Sequence, residues 1–263
     1  MPDLEGQDGL AQIDAFVRER LVKNGLLPAS RADPGVLIRR LHHDLTGIPP
    51  TAQEVSSFVS KQSEGAYAEL VDELLSSNLF GERWARHWLD VVRYAETNGY
   101  ERDAVKLNIW KYRDWVIGAL NQDMPYDQFV REQLAGDEIS ERTDRSVIAT
   151  GMLRAGTWND EPNDPQEYMY ERLEDMVDVV STAFLGITVR CARCHDHKFD
   201  PIPQRDYYRL AAAFWPGAIE PRDGALMGGP SEEELGVKAV FGWTDVRKNP
   251  APLHLLDCLL YTS

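Results

Sequence analysis

Apolar residues recur at helical spacing along most of the chain, and the strict alternation typical of β-strands is hard to find. One apolar face of the first predicted helix consists of Ile13, Phe16, Val17 and Leu21. Asn24-Gly25 follows this face and predicts the end of the helix, because glycine readily adopts the left-handed conformation common there. The pattern predicts a mainly helical protein.

Two further helix starts are visible in the sequence. Asp33 and Pro34 form an N-cap and first-turn pair, because an aspartate side chain accepts from free helix amides and proline fits the first turn. Thr51 and Glu54 have the spacing of a capping box, which predicts the start of a third helix. Apolar spacing over residues 67–75 predicts a fourth helix.

A tryptophan-rich segment follows these four helices. One helical face of this segment consists of Trp84, Trp88, Val91 and Val92. Such a continuous apolar stripe is typical of a helix packed against the rest of the protein. We therefore expect this face to lie in the core.

More helices are predicted over residues 109–120, 125–134, 146–153, 165–185 and 204–214. The expected fold class is mainly α, a single multi-helix orthogonal bundle with a CxxCH loop between its last two helices. The predicted helical domain covers residues 10–217. The glycine-rich residues 224–229 indicate a linker, so residues 218–263 are expected to be a linker and a truncated or foreign tail.

The formal net charge of −15 restricts the possible partners. It repels phosphate backbones and anionic lipid surfaces, so we expect no binding to nucleic acid. Apolar runs are too short for a transmembrane segment. The acidic start shows no signal peptide, so the protein is either cytosolic or lacks its true N-terminus in this chain.

The candidate chemistry lies at Cys191-Ala192-Arg193-Cys194-His195, whose spacing is that of a c-type haem attachment site. In such a site Cys191 and Cys194 form thioethers to haem c, and His195 binds the iron as the proximal ligand. The third cysteine, Cys258, lies in the unusual tail and is left out of the site. The motif predicts a haem-binding module that acts in electron transfer or in a haem-dependent oxidation.

Several blocks of the sequence share the pattern of one known family. They cover residues 39–40, 44–50, 82–90, 93–95, 112–116, 123–127, 133–137 and 191–208. Together, over about Ile13 to Trp215, they resemble the planctomycete cytochrome c-like domain of unknown function, DUF1549. The resemblance implies a periplasmic or otherwise extracytoplasmic parent protein. It also implies flanking domains of the same parent chain, or a redox partner protein, as partners.

A bound zinc or iron ion is the alternative to haem. Its ligands would be Cys191 and Cys194 with His197 or His195, and His87 would close the site from a distance. The chain would then be a metal-binding module of a larger, possibly polysaccharide-degrading enzyme. A structural interaction domain with a vestigial motif is a third possibility, and the sequence does not decide whether the module is itself an enzyme.

A haem iron also has a distal face. His87 is the best candidate ligand there, because His197 is too close to the motif in sequence and methionines on helical stripes usually fill cores. Three arginines, Arg83, Arg86 and Arg93, lie on the tryptophan-rich segment. They are predicted to form salt bridges with Glu82, Asp90 or Glu96, with haem propionates as the alternative partners.

Overall fold

The structure is a computed structural model that describes residues 9–61, 63, 65–159, 161–215, 226–227, 233, 236–238, 240–243 and 253. Its first helices are α1 (Gly9–Lys23), α2 (Pro34–Leu45), α3 (Ala52–Lys61), α4 (Ala66–Leu75) and α5 (Asn78–Val91). They are followed by α6 (Trp110–Asn121), α7 (Tyr126–Ala135), α8 (Asp144–Ala149), α9 (Pro165–Val180) and α10 (Gln204–Phe214). The predicted mainly helical class is confirmed.

Shorter pieces extend or join these helices. A 3₁₀ turn, Thr150–Arg154, continues α8, and a π-helical turn, Ser181–Leu185, continues α9. A second 3₁₀ turn, Arg190–Arg193, lies between α9 and α10. Strands β1 (Leu226–Met227) and β2 (Gly242–Trp243) form a parallel pair in which Leu226 is opposite Gly242.

The chain divides into two compact units, residues 1–44 with 48–68 and residues 45–47 with 69–263. In the first unit the predicted helix starts are present as hydrogen bonds. The Asp33 carboxylate accepts from the Gly35 amide at 2.9 Å, and the Thr51 hydroxyl accepts from the Glu54 amide at 3.2 Å. These contacts are local, which is why the sequence pattern located them.

The core of the second unit is formed where α5 packs on α6 and α9 packs on α10. Its most deeply buried side chains include Val92, Tyr112, Val116, Met152, Leu173 and Val177. Residues after position 217 join this packing, because Val240, Phe241 and Trp243 are buried as well. The Trp243 amide donates to the Thr150 hydroxyl at 2.9 Å. The positions of the predicted tail other than 226–227, 233, 236–238, 240–243 and 253 lie outside the described residues, and Cys258 is one of them.

The tryptophan-rich face is only partly core, which corrects the prediction. Val92 is fully buried, and Trp88 packs edge-on against Phe129 with ring centroids 4.9 Å apart. Trp84 and Val91 remain 42% and 49% exposed. The face points toward α6 and α7, and an open cavity lies between the three helices.

Candidate functional site

The cysteine motif follows directly on an irregular helix end. The π-helical turn Ser181–Leu185 is followed by Gly186, which has a left-handed φ of 64°. Glycine adopts this conformation without a steric penalty, so the chain can leave α9 sharply. Cys191 then lies in the 3₁₀ turn and Cys194 ends it. The motif, expected as a loop, therefore begins in a short helical turn.

Glu174 of α9 holds this turn in place. Its carboxylate accepts from Arg190 Nε at 2.7 Å and from Arg193 Nη1, the arginines that directly precede Cys191 and Cys194. On the other side, the Arg193 carbonyl accepts from Gln204 Nε2 and Tyr208 Oη of α10, both at 3.1 Å. The motif is thus fixed between α9 and α10 by charge-assisted and side-chain hydrogen bonds.

The two motif cysteines are free thiols. Cys191 is exposed and Cys194 is half-buried. Cys191 lies within the turn and Cys194 follows directly on it, so the two thiols are close in the chain and both are at least partly open to solvent.

His195 is exposed and its ring orientation is set by a hydrogen bond. Its Nδ1 lies 2.7 Å from the Asp196 carbonyl oxygen. A carbonyl can only accept, so the proton is on Nδ1 and the lone pair of the neutral ring is on Nε2. Metal-binding histidines commonly use this arrangement, in which one nitrogen donates to a carbonyl and the other binds the metal.

His197 has a different environment. Its side chain is only 7% exposed, and its Nδ1 accepts from the Asp200 amide at 2.9 Å. Its own amide donates to the Ile202 carbonyl at 2.9 Å, which closes the loop before α10. These contacts hold the loop before α10, and the role of His197 as an alternative metal ligand stays a prediction.

His87 lies in the cavity beside the tryptophan-rich face. The cavity has a volume of about 420 Å³, and its described walls come from α5, α6, α7 and the α6–α7 link. The ring of His87 meets Trp84 edge-on at 5.4 Å. The structure thus brings Cys191, Cys194 and His195 together in one segment and places His87 in a separate cavity. Its role as a distal haem ligand stays a prediction.

In the part of the chain that the structure describes, no three His, Cys, Asp or Glu side chains are grouped to hold a metal ion. Within the same part, no helix has the length and apolar character needed to cross a membrane.

A buried charge cluster was missed by the sequence patterns. Arg93 donates through Nε to Asp175 at 2.8 Å, and Arg172 lies 2.6 Å from the same carboxylate. Arg93 therefore pairs with a residue far away in sequence, and the expected pairing with Asp90 or Glu96 is wrong for this arginine. Lys106 is 2% exposed and donates to the carbonyls of Ala155 and Gly156 at 2.8 and 2.6 Å.

Burial disfavours the charge of Asp175, but hydrogen bonds and charges from Arg93 and Arg172 outweigh it and hold the pKa of this carboxyl below its usual value. Gly156 is required beside the cluster, because a Cβ there would lie 2.8 Å from Arg93 Nε and 2.9 Å from Asp175 Oδ2. Nothing local in the sequence indicates that these distant residues meet.

The helices and the site together define a mainly helical module with a solvent-accessible CxxCH turn. The chain belongs to the PSCyt2 family, described as a protein of unknown function (DUF1549), whose model matches residues 12–217. No curated protein and no solved structure matches the chain.

Proposed function

We propose that the protein is a c-type haem-binding module that acts in electron transfer or in a haem-dependent oxidation. The observation that supports this proposal is the arrangement of the motif: two free thiols three positions apart in a turn held between α9 and α10, next to an exposed imidazole. Thioether attachment requires both thiols to reach one macrocycle, and the iron requires a nearby imidazole nitrogen. Haem bound there would supply one-electron redox chemistry.

The surroundings of the motif also fit a haem. Leu185 and Ile187, which precede the motif, are 61% and 40% exposed, and Phe199, which follows it, is 84% exposed. Exposed apolar groups of this size are costly, since burying one contributes roughly 1.5–3 kcal/mol. A haem is a large apolar disc that would cover such side chains.

The chain's own residues have distinct roles in this proposal. Cys191 and Cys194 form the covalent links and His195 binds the iron through Nε2. Asp196 orients the imidazole through its carbonyl, and Glu174 fixes the turn through the two arginines. We further propose an extracytoplasmic location, with a redox protein or flanking domains of the same parent chain as partners.

The test is expression in an exporting host with the cytochrome c maturation system, followed by intact mass and visible spectroscopy. We expect the mass of one covalently bound haem and a sharp Soret band. The double variant Cys191→Ala/Cys194→Ala loses both, and Cys258→Ala, which removes the third thiol, retains both. His195→Ala retains the covalent mass but shifts the Soret band, because an axial ligand is lost.

His87→Ala, compared with the exposed His43→Ala, tests the predicted distal ligand. A Soret shift in His87→Ala alone supports that ligand. An unmodified mass in the parent protein contradicts the haem proposal. Elemental analysis of that sample then separates a zinc or iron module from a metal-free interaction domain.

A further inference from the structure

The cavity between α5, α6 and α7 is built largely from aromatic rings. Its described aromatic walls are Phe80, Trp84, Trp88, Tyr126 and Phe129. Its volume of about 420 Å³ lies within the range of roughly 300–1,000 Å³ typical of small-molecule sites. A cavity of this size and composition is suited to a compound with one or two flat rings.

Two of these walls are unusually open to solvent. Trp84 is 42% exposed and Tyr126 is 61% exposed, although both belong to helices that pack into the core of the second unit. Phe129, in contrast, is buried and stacks on Trp115 at 5.2 Å. The inner wall is therefore a fixed aromatic floor, and the outer rings are available to cover a ligand placed on it.

The polar groups in the cavity restrict the ligand further. The lining residues with an ionisable side chain near neutral pH are His87 and Asp123, and Tyr126 adds a phenolic hydroxyl. Asp123 has a left-handed φ of 50°, and its amide donates to the Leu120 carbonyl at 3.1 Å at the end of α6. Asp123 thus adds a carboxylate residue, at the end of α6, to the lining of a mostly apolar cavity.

We propose that this cavity binds a small aromatic compound that carries a hydroxyl group, of the phenol or naphthol class. The rings of such a compound stack on the aromatic walls, and its hydroxyl donates to Asp123 or exchanges a hydrogen bond with His87. The proposal concerns binding to the chain without haem, because a haem iron bound by His87 would occupy one wall of the same cavity.

Other ligand classes match the cavity less well. A sugar presents hydroxyl groups on most of its rim, and burying them against aromatic walls without partners is costly. An anion meets the carboxylate of Asp123 on a chain whose net charge is −15. A hydroxylated ring compound has few polar groups, and the cavity provides a partner for them.

The experiment is isothermal titration calorimetry of the full chain, purified without haem, with 2-naphthol, naphthalene and 2-naphthoate as probes. We expect saturable one-to-one binding of 2-naphthol, weaker binding of naphthalene and little binding of 2-naphthoate. Trp84→Ala weakens 2-naphthol binding by roughly tenfold, because one stacking partner is lost. Trp110→Ala is the matched control, since Trp110 is 46% exposed and lies outside the cavity walls.

Asp123→Asn tests the polar part of the proposal. Asparagine also tolerates a positive φ, so the helix end is retained while the charge is removed. We expect weaker 2-naphthol binding, stronger 2-naphthoate binding and unchanged naphthalene binding.

Three results would overturn the proposal: no saturable binding of 2-naphthol, equal losses in Trp84→Ala and Trp110→Ala, or preferred binding of 2-naphthoate by the parent protein. A dimer detected by sedimentation that Trp84→Ala abolishes would assign the cavity to self-association instead. Circular dichroism of each variant confirms that the fold is intact.

Discussion

Asp175 is the shared counter-ion of two guanidinium groups in the second unit. The side chain of Arg172 is 5% exposed, and those of Arg93 and Asp175 are about one quarter exposed, at 25% and 26%. A charge removed from water needs a paired partner, and loss of that partner leaves the other charge desolvated. The stability of this region therefore depends on a single carboxylate.

We expect Asp175→Asn to lower the free energy of unfolding by about 3 kcal/mol, because Arg93 and Arg172 lose their counter-ion. The measurement is urea unfolding followed by circular dichroism. The matched control is Asp127→Asn, whose ion pair with Arg131 has side chains 74% and 63% exposed. Exposed pairs contribute about 1 kcal/mol or less, so similar losses in both variants would contradict the role of Asp175.

Lys106 makes the free energy of unfolding vary with pH in the alkaline range. Burial, together with the charges of Arg172 and Arg93, lowers the pKa of Lys106 to about 8. The pKa of a lysine in an unfolded chain is about 10.4. Between the folded and the unfolded pKa, the unfolded chain binds more protons than the folded protein, so the free energy of unfolding rises with pH. The burial cost of the charged amine applies in full below the folded pKa and is relieved above it.

We expect the free energy of unfolding, measured by urea denaturation, to increase from pH 8 toward pH 10. The one proton of Lys106 contributes up to about 1.4 kcal/mol per pH unit to this increase. Above about pH 10 the trend reverses, because burial raises the pKa of Tyr112 and the folded state then retains the extra proton. We expect this increase in stability with pH to disappear in Lys106→Met. Lys23→Met, at an exposed helix end, is the control and should retain the increase. An increase that persists in Lys106→Met would show that another group causes it.

Single residues explain why part of the candidate site can be proposed from sequence alone. Cys191, Cys194 and His195 are candidates because the motif they form lies in adjacent positions. Glu174 and Asp175 were not identified, because a carboxylate on a helix has the same local pattern whether it faces solvent or an arginine from elsewhere. Their roles depend on which residues fold against α9.

The contact between α5 and α6 depends on a close approach at Gly81. A Cβ there would lie 2.5 Å from Asn121 Oδ1 and 2.6 Å from the Ile117 carbonyl oxygen. The Gly81 amide donates to the same Asn121 oxygen at 2.7 Å. These distances leave no room for a side chain between the two helices.

We expect Gly81→Ala to destabilise the protein by about 1–3 kcal/mol, because the helices must separate or Asn121 must move. Gly118→Ala, on the partner helix, is the control, since its Cβ would have an ordinary contact of 3.8 Å with Arg145. The free energy of unfolding of Gly118→Ala should increase by about 0.5–1 kcal/mol, because alanine has a higher helix propensity than glycine. Thermal unfolding measures the stability of both variants. A higher stability of Gly81→Ala would contradict close packing of the two helices at Gly81.

Helix positions were predicted closely for the same local reasons. The capping pairs at α2 and α3 and the apolar stripe of α9 are written into nearby residues. The π-helical turn after α9 and the 3₁₀ turn at the motif were not predicted, because non-local contacts with α9 and α10 contribute to their shape. The exposure of Trp84 was missed for the same reason: periodicity identifies an apolar face but not how much of it a neighbour covers.

Charged residues of both signs are buried in this acidic molecule. The formal net charge is −15, and the buried charged side chains of the described residues are Lys106, Arg154 and Arg172 together with Glu132 and Asp137. Burial therefore removes nearly equal numbers of charges of each sign, and the solvent-facing part of the protein keeps the negative character of its composition. Such a surface favours basic or neutral partners over polyanions.

We expect no binding to a labelled DNA duplex at low salt, where non-specific electrostatic binding is strongest. Fluorescence anisotropy titration is the measurement, with a basic DNA-binding protein as positive control. A rise in anisotropy that salt reverses would contradict this expectation.

Composition and local pattern were enough to predict the helical class, most helix positions, the acidic character and the CxxCH motif, because each depends on residues near one another in the chain. The folded arrangement was needed to show that Glu174 holds the motif, that Arg93 meets Asp175 and that the tryptophan face opens into a cavity. These features depend on contacts between residues distant in sequence, and such contacts leave no periodic pattern in either partner.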